Sequence, residues 1–131
     1  MTTQFLTRHV ASDAASVVQR QLDAYNARDL EALLAIYAPD AQLFEHPATL
    51  MASGSSALRE RFAARFQEPN LYATLLCRTV MEPFVVDRED VRRTFPAGPG
   101  RIQLVMIYEV QKGRIIKAWT IAGEKTIDGA A

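Results

Sequence analysis

From Leu71 to Glu124 the chain reads as four strands in succession, and this run constrains the fold more than anything before it. Leu71–Met81 is rich in Leu, Val and Thr, Phe84–Thr94 follows a break at Glu82-Pro83, and Ile102–Gln111 follows the loop "FPAGPG". Arg114–Glu124 closes the run. Proline cannot donate to a strand ladder, so it marks the breaks. Lys112-Gly113 forms a tight hairpin turn in which Gly113 supplies positive φ. A chain that ends on a meander must bury one face of it against something else, and the first half supplies the cover.

That first half reads as helices. Ser12 or Asp13 caps a helix on which Val18, Leu22 and Tyr25 recur at helical spacing. Asp29 caps a second, on which Leu30, Leu33, Leu34 and Tyr37 repeat the pattern until "APDA" ends it. Ala41–His46 is a first strand, and Thr49–Ala52 a short second one. Ser55 or Ser56 caps a third helix carrying Leu58, Phe62 and Phe66 on one stripe, which reads as core packing. The order α-α-β-β-α-β-β-β-β makes one α+β domain over residues 1–131, with helices on one face of a curved antiparallel sheet.

Strand parity adds a partner. Leu104, Met106, Tyr108 and Val110 share one face of their strand, and Val105 and Ile107 lie on the other. Trp119, with Ile115 and Ile121, gives the last strand an apolar second face too. A sheet open to water alternates apolar and polar residues, so this second face calls for a cover. A second copy of the chain is the simplest cover, and a loop or tail is the alternative. A homodimer is expected.

Lys+Arg and Asp+Glu both number 15, so the chain lacks the basic excess of a nucleic-acid binder. Apolar runs such as "LVMIY" fall far short of the roughly 20 residues that span a bilayer. The opening "MTTQFLTRHV" lacks the pattern of a signal peptide, and Cys77 is the single cysteine. Together these point to a cytoplasmic protein with neither nucleic acid nor membrane as partner. His9 and His46 are the only histidines and show no paired ligand spacing, so no metal is expected. "PAGPG" opens no helix and is no phosphate loop.

The stretches "VQRQLDAYNARDLEALLAIYAPDAQLFEHP", "SGSSALRERF", "LVMIYEVQKGRIIKAW" and "AGEKTI" occur in this order over Val17–Thr126. In that order and spacing the chain resembles the nuclear transport factor 2-like superfamily, and within it the SnoaL-like and ketosteroid-isomerase-like branch. The resemblance implies a cone-shaped α+β barrel, with a curved sheet wrapped around the N-terminal helices. It also implies an apolar pocket and, in many members, a homodimer through the sheet. In this comparison His46 of "FEHP" occupies the position of the general-base Asp in ketosteroid isomerases. Gln21 and approximately Met106 occupy the positions of the two oxyanion donors, so the isomerase oxyanion pair is absent.

Three candidate features follow. His46 is the first: an imidazole can take and return a proton, and a strand-end histidine satisfied by a neighbour is the plainer reading. Asp87 and Glu89 share a strand face with Val85 and Val91. The resemblance turns that face toward the pocket, where the two acids can orient His46, whereas an exposed strand end paired with Arg88, Arg92 and Arg93 is the alternative. Gln21, Tyr25, Phe44, Met106 and Tyr108 are the expected pocket lining, with core packing as the other reading. The function expected is binding of a small apolar, steroid- or polyketide-like molecule, with cofactor-free isomerase-, cyclase- or dehydratase-type proton transfer if the protein is an enzyme. A non-catalytic binding protein or a dimeric interaction module of the same fold is the alternative.

Overall fold

The computed structural model describes residues 13–129. Among these, the order is α1 (Ala14–Ala27), α2 (Leu30–Ile36), β1 (Tyr37–Glu45), β2 (Thr49–Ser53), α3 (Ser55–Arg65), β3 (Tyr72–Met81), β4 (Phe84–Phe95), β5 (Gly98–Gln111) and β6 (Arg114–Ile127). Asp13 caps α1 by accepting the backbone N–H of Ser16, and Asp29 caps α2 by accepting that of Ala32. Each short carboxylate satisfies a donor that the first turn leaves free. Ser12 lies outside the described residues. At α3 the expected serine cap gives way to Gly54 at φ 87, and the hydroxyl of Ser55 instead donates to the carbonyl of Pro39.

The sheet is six-stranded in the order β2-β1-β6-β5-β4-β3. It is curved but not closed, and it is mixed rather than purely antiparallel, because β1 runs parallel to β6. Pairing between strands so distant in sequence leaves no local signature, so the reading of an antiparallel sheet missed it. Two boundaries also move. Tyr37 begins β1 rather than ending α2, because helical geometry stops at Ile36. The loop "FPAGPG" shrinks to a tight connection, with β5 already under way at Gly98. Gly100 is needed there, because a Cβ would run into the carbonyl of Thr126 on β6. At the next hairpin both Lys112 (φ 52) and Gly113 (φ 76) adopt the left-handed conformation, the signature of a type I′ turn.

Two groups of buried side chains lie between helices and sheet. One includes Val17, Val18, Leu33, Leu58, Val85 and Ile115, and the other Leu22, Leu71, Ala73, Val91, Phe95 and Ile102. Tyr25 and Phe66 pack against both, their rings 5.6 Å apart and nearly perpendicular. Asn26 ties α1 to the edge strand: its amide donates to the carbonyl of Ala73 and accepts from the N–H of Ala73, both at 2.8 Å.

On the opposite face of the sheet, Phe44 stacks on Trp119 at 5.7 Å, and Trp119 pairs in register with Ile107. Val105, Ile107 and Trp119 are half-buried, and Ile121 is exposed. Ile115 does not join them. The register shifts between Glu109 and Val110, which sets Ile115 opposite Val110, and both are buried in the core. A bulge of one residue reverses which face a side chain takes.

Candidate active site

The two core groups leave a cavity of about 390 Å³ between them, a volume suited to a small molecule rather than to side-chain filling. α1 contributes Gln21, Leu22 and Tyr25, while α3 contributes Arg61, Phe62 and Arg65. The inward face of the sheet contributes Tyr37, Glu89, Leu104, Met106, Tyr108 and Thr120 among others. The wall is mixed. Its charged members, Glu45, Glu89, Arg61, Arg65, Arg93 and Lys125, make it more polar than the apolar pocket expected.

Glu89 is the focus. β4 alternates Val85, Asp87, Glu89 and Val91 on its inward face, and all four are buried. The two acids meet different partners. Asp87 is fully buried, and both its oxygens accept from the guanidinium of Arg78 on β3, at 2.7 and 2.9 Å. Arg78 also donates to the amide oxygen of Gln19 on α1 at 2.9 Å, which closes a chain of charge-assisted bonds. Glu89 has no such clamp, and its carboxyl lines the cavity. Burial first, and then the negative charge of Asp87, raise its pKa to about 7, while Arg78 pulls the other way. A carboxyl poised there exchanges a proton readily at neutral pH.

Three phenols stand around it. Tyr108 donates to the amide oxygen of Gln21 at 3.2 Å, and the amide N–H of Gln21 donates to the hydroxyl of Tyr37 at 3.3 Å. The hydroxyl of Tyr37 therefore accepts from Gln21 and keeps its own proton to give to a ligand. Burial raises the pKa of Tyr25, Tyr37 and Tyr108, and the charge of Glu89 adds to each rise. All three remain protonated donors at neutral pH.

The expected lining residues Gln21, Tyr25, Phe44, Met106 and Tyr108 all border this cavity. Phe44 does so only at the edge, since its ring stacks on Trp119. The thioether of Met106 accepts from the hydroxyl of Thr120 at 3.2 Å. Asp87 stands behind the wall, not in it. His46 lies elsewhere than expected: it is exposed in the turn after β1 and is not among the residues lining the cavity. Glu45, its neighbour, lines the cavity instead. In the parallel pairing Glu45 sits beside Thr120 and Phe44 beside Trp119, so the inward parity falls on Glu45. His46 and the two β4 acids are therefore not brought together at one wall.

Tyr37, Arg61 and Arg65 are among the lining residues that escaped the sequence reading. Tyr37 was absorbed into a helical stripe. Arg61 and Arg65 lie three and seven residues after Leu58, inside the apolar stripe of α3, and a cation in such a stripe was a readable signal.

The signature of the SnoaL-like domain matches residues 18–118, and the chain belongs to that family. A structure of an uncharacterised cystatin-fold protein from Novosphingobium aromaticivorans aligns with a TM-score of 0.76 at 20% identity, over 83% of this chain and 97% of that one. A protein from Sinorhizobium meliloti, provisionally described as a polyketide cyclase, aligns with a TM-score of 0.68 at 26% identity, over 80% of this chain and 93% of that one. A Catenulispora acidiphila protein of ketosteroid isomerase-like fold, in complex with trimethylamine, aligns with a TM-score of 0.69 at 13% identity, over 79% and 82%. No protein of curated function matches. No helix among the described residues is long and apolar enough to cross a membrane.

Proposed function

We propose that the protein is a cofactor-free enzyme that moves a proton on a small carbonyl compound of steroid or polyketide size, with Glu89 as the proton carrier. The observation that carries this reading is the buried Glu89 carboxyl at the cavity wall, with a pKa of about 7 and three protonated phenols around it. In the reaction the Glu89 carboxylate takes a proton from the carbon beside a carbonyl. The C–H electron pair passes toward the carbonyl oxygen, and Tyr37 or Tyr25 donates a hydrogen bond to the charge that develops there. The protonated Glu89 then returns its proton to another carbon, which isomerises the substrate. Alternatively the carbanion attacks a second carbonyl carbon, whose π pair moves onto its oxygen, and Glu89 returns its proton to that alkoxide, which closes a ring bearing a hydroxyl. Asp87 positions the site through its charge, and Arg78 holds it in place. His46 lies outside this route.

The reading includes a homodimer through the sheet, supported by the half-buried apolar patch of Val105, Ile107 and Trp119. Light scattering at micromolar concentration is expected to return twice the chain mass, and a single-chain mass would remove the dimer. A cytoplasmic setting, supported by Cys77 as an exposed free thiol, completes the reading.

The test is exchange of α-protons into deuterated water, followed by NMR over a panel of cyclic ketones. Catalysed exchange should saturate with ketone and rise through a midpoint near 7. It should fall by about 10²–10⁴ in Glu89→Gln and persist in His46→Ala. Exchange that depends on His46 and ignores Glu89 would overturn the assignment.

A further inference from the structure

The positive charge on the cavity wall does not match the acids that face it. Arg93 gives two hydrogen bonds to Glu68, at 2.8 and 2.7 Å, and Arg65 approaches the same carboxylate at 3.6 Å. One carboxylate therefore serves two guanidiniums. Arg61, half-buried on α3 and also lining the cavity, makes no ion pair within 4 Å and no hydrogen bond among the described residues. Its pKa is lowered, by burial first and then by the like charges of Arg65 and Arg93. Glu45 acts on it only from a distance, as an exposed residue. Four cations, Arg61, Arg65, Arg93 and Lys125, line the cavity against two lining carboxylates, Glu45 and Glu89, and Glu68 meets Arg93 and Arg65 from outside the lining, which leaves one positive charge in excess when Glu89 is ionised. A half-buried guanidinium without a partner is unfavourable, and its flat fork fits a carboxylate in two parallel hydrogen bonds.

We propose that the ligand of this cavity carries a carboxylate, which Arg61 receives with help from Arg65, and that the same molecule extends inward toward Glu89. This inference rests on the reading of the cavity as a small-molecule site and names the class of molecule. Arg65 and Arg93 already share Glu68, so among the described residues Arg61 is the one lining guanidinium without an ion pair, which favours a monoanion over a dianionic phosphate. The separation of roles follows from the wall itself. Cations on α3 meet the anionic end, and the carboxyl on β4 meets the reacting carbon, where a second negative charge beside Glu89 would only hold its proton more tightly.

A matched pair of probes tests it: 2-naphthylacetate and its neutral amide, titrated by calorimetry at pH 8 in low salt. The acid is expected to bind at least about tenfold more tightly than the amide, and the preference should shrink as salt is added. In Arg61→Gln the preference for the acid over the amide should shrink markedly, with Arg65 retaining part of it. The wild-type comparison and its salt dependence stand even where that variant folds poorly. Equal binding of acid and amide to the wild type would overturn the carboxylate assignment while leaving the cavity as a binding site. Failure of both to bind would overturn the small-molecule reading and this inference together.

Discussion

Asp87 and Glu89 stand two residues apart on the same face of β4, and their surroundings diverge. At the Asp87 end the space between helix and sheet is filled: β3 supplies Arg78, α1 supplies Gln19, and every oxygen of the carboxylate has a donor. At the Glu89 end the helices stand off the sheet and leave a cavity, and the carboxyl faces space instead of a guanidinium. The same residue class in the same strand is structural in one place and chemically available in the other. What separates them is whether an arginine reaches across, since a paired charge stabilises a fold only while its partner remains.

That contrast breaks most visibly under substitution. Removing Asp87 leaves Arg78, whose side chain is only 15% exposed, without its counter-charge. Asp87→Ala is therefore expected to destabilise the fold by about 3–5 kcal/mol in urea unfolding. A cost below about 1 kcal/mol would mean that the Arg78 clamp does not hold the sheet end together.

Glu89→Gln should act in the opposite sense, and only in one pH range. The folded pKa of Glu89, about 7, lies above its ordinary value of 4.5, so between these the folded protein keeps a proton that the unfolded chain has released. The contribution of Glu89 is therefore full below about 4.5, declines as pH rises, and is lost above about 7. The step amounts to about 3 kcal/mol. Subtracting the variant's stability-versus-pH curve from that of the wild type should leave this step, with the variant the more stable at pH 8. Parallel curves would place Glu89 among ordinary solvated carboxylates.

Much of this contrast could be read from the sequence. The alternation Val85-Asp87-Glu89-Val91 put both acids on a face with buried valines, and the caps at Asp13 and Asp29 and the turn at Lys112-Gly113 carried their own local chemistry. What escaped depends on distance or on parity. That Arg78 reaches Asp87 and not Glu89 is set by the β3–β4 register, where Arg78 lies opposite Asp87. The placement of His46 turned on a single residue of parity at the end of β1, and a shift of one exchanges the faces of the sheet. Tyr37 kept helical spacing with Leu30 and Leu33, so periodicity alone assigned it to the wrong element. The cavity itself is a property of how the helices stand off the sheet, and no local pattern encodes it.

The measurement closest to the central claim is direct titration of the Glu89 side-chain carboxyl by carbon-13 NMR, with the resonance assigned by its loss in Glu89→Gln. A midpoint near 7 is expected. A midpoint close to the ordinary 4.5 would contradict a buried, proton-carrying Glu89 and the chemistry built on it.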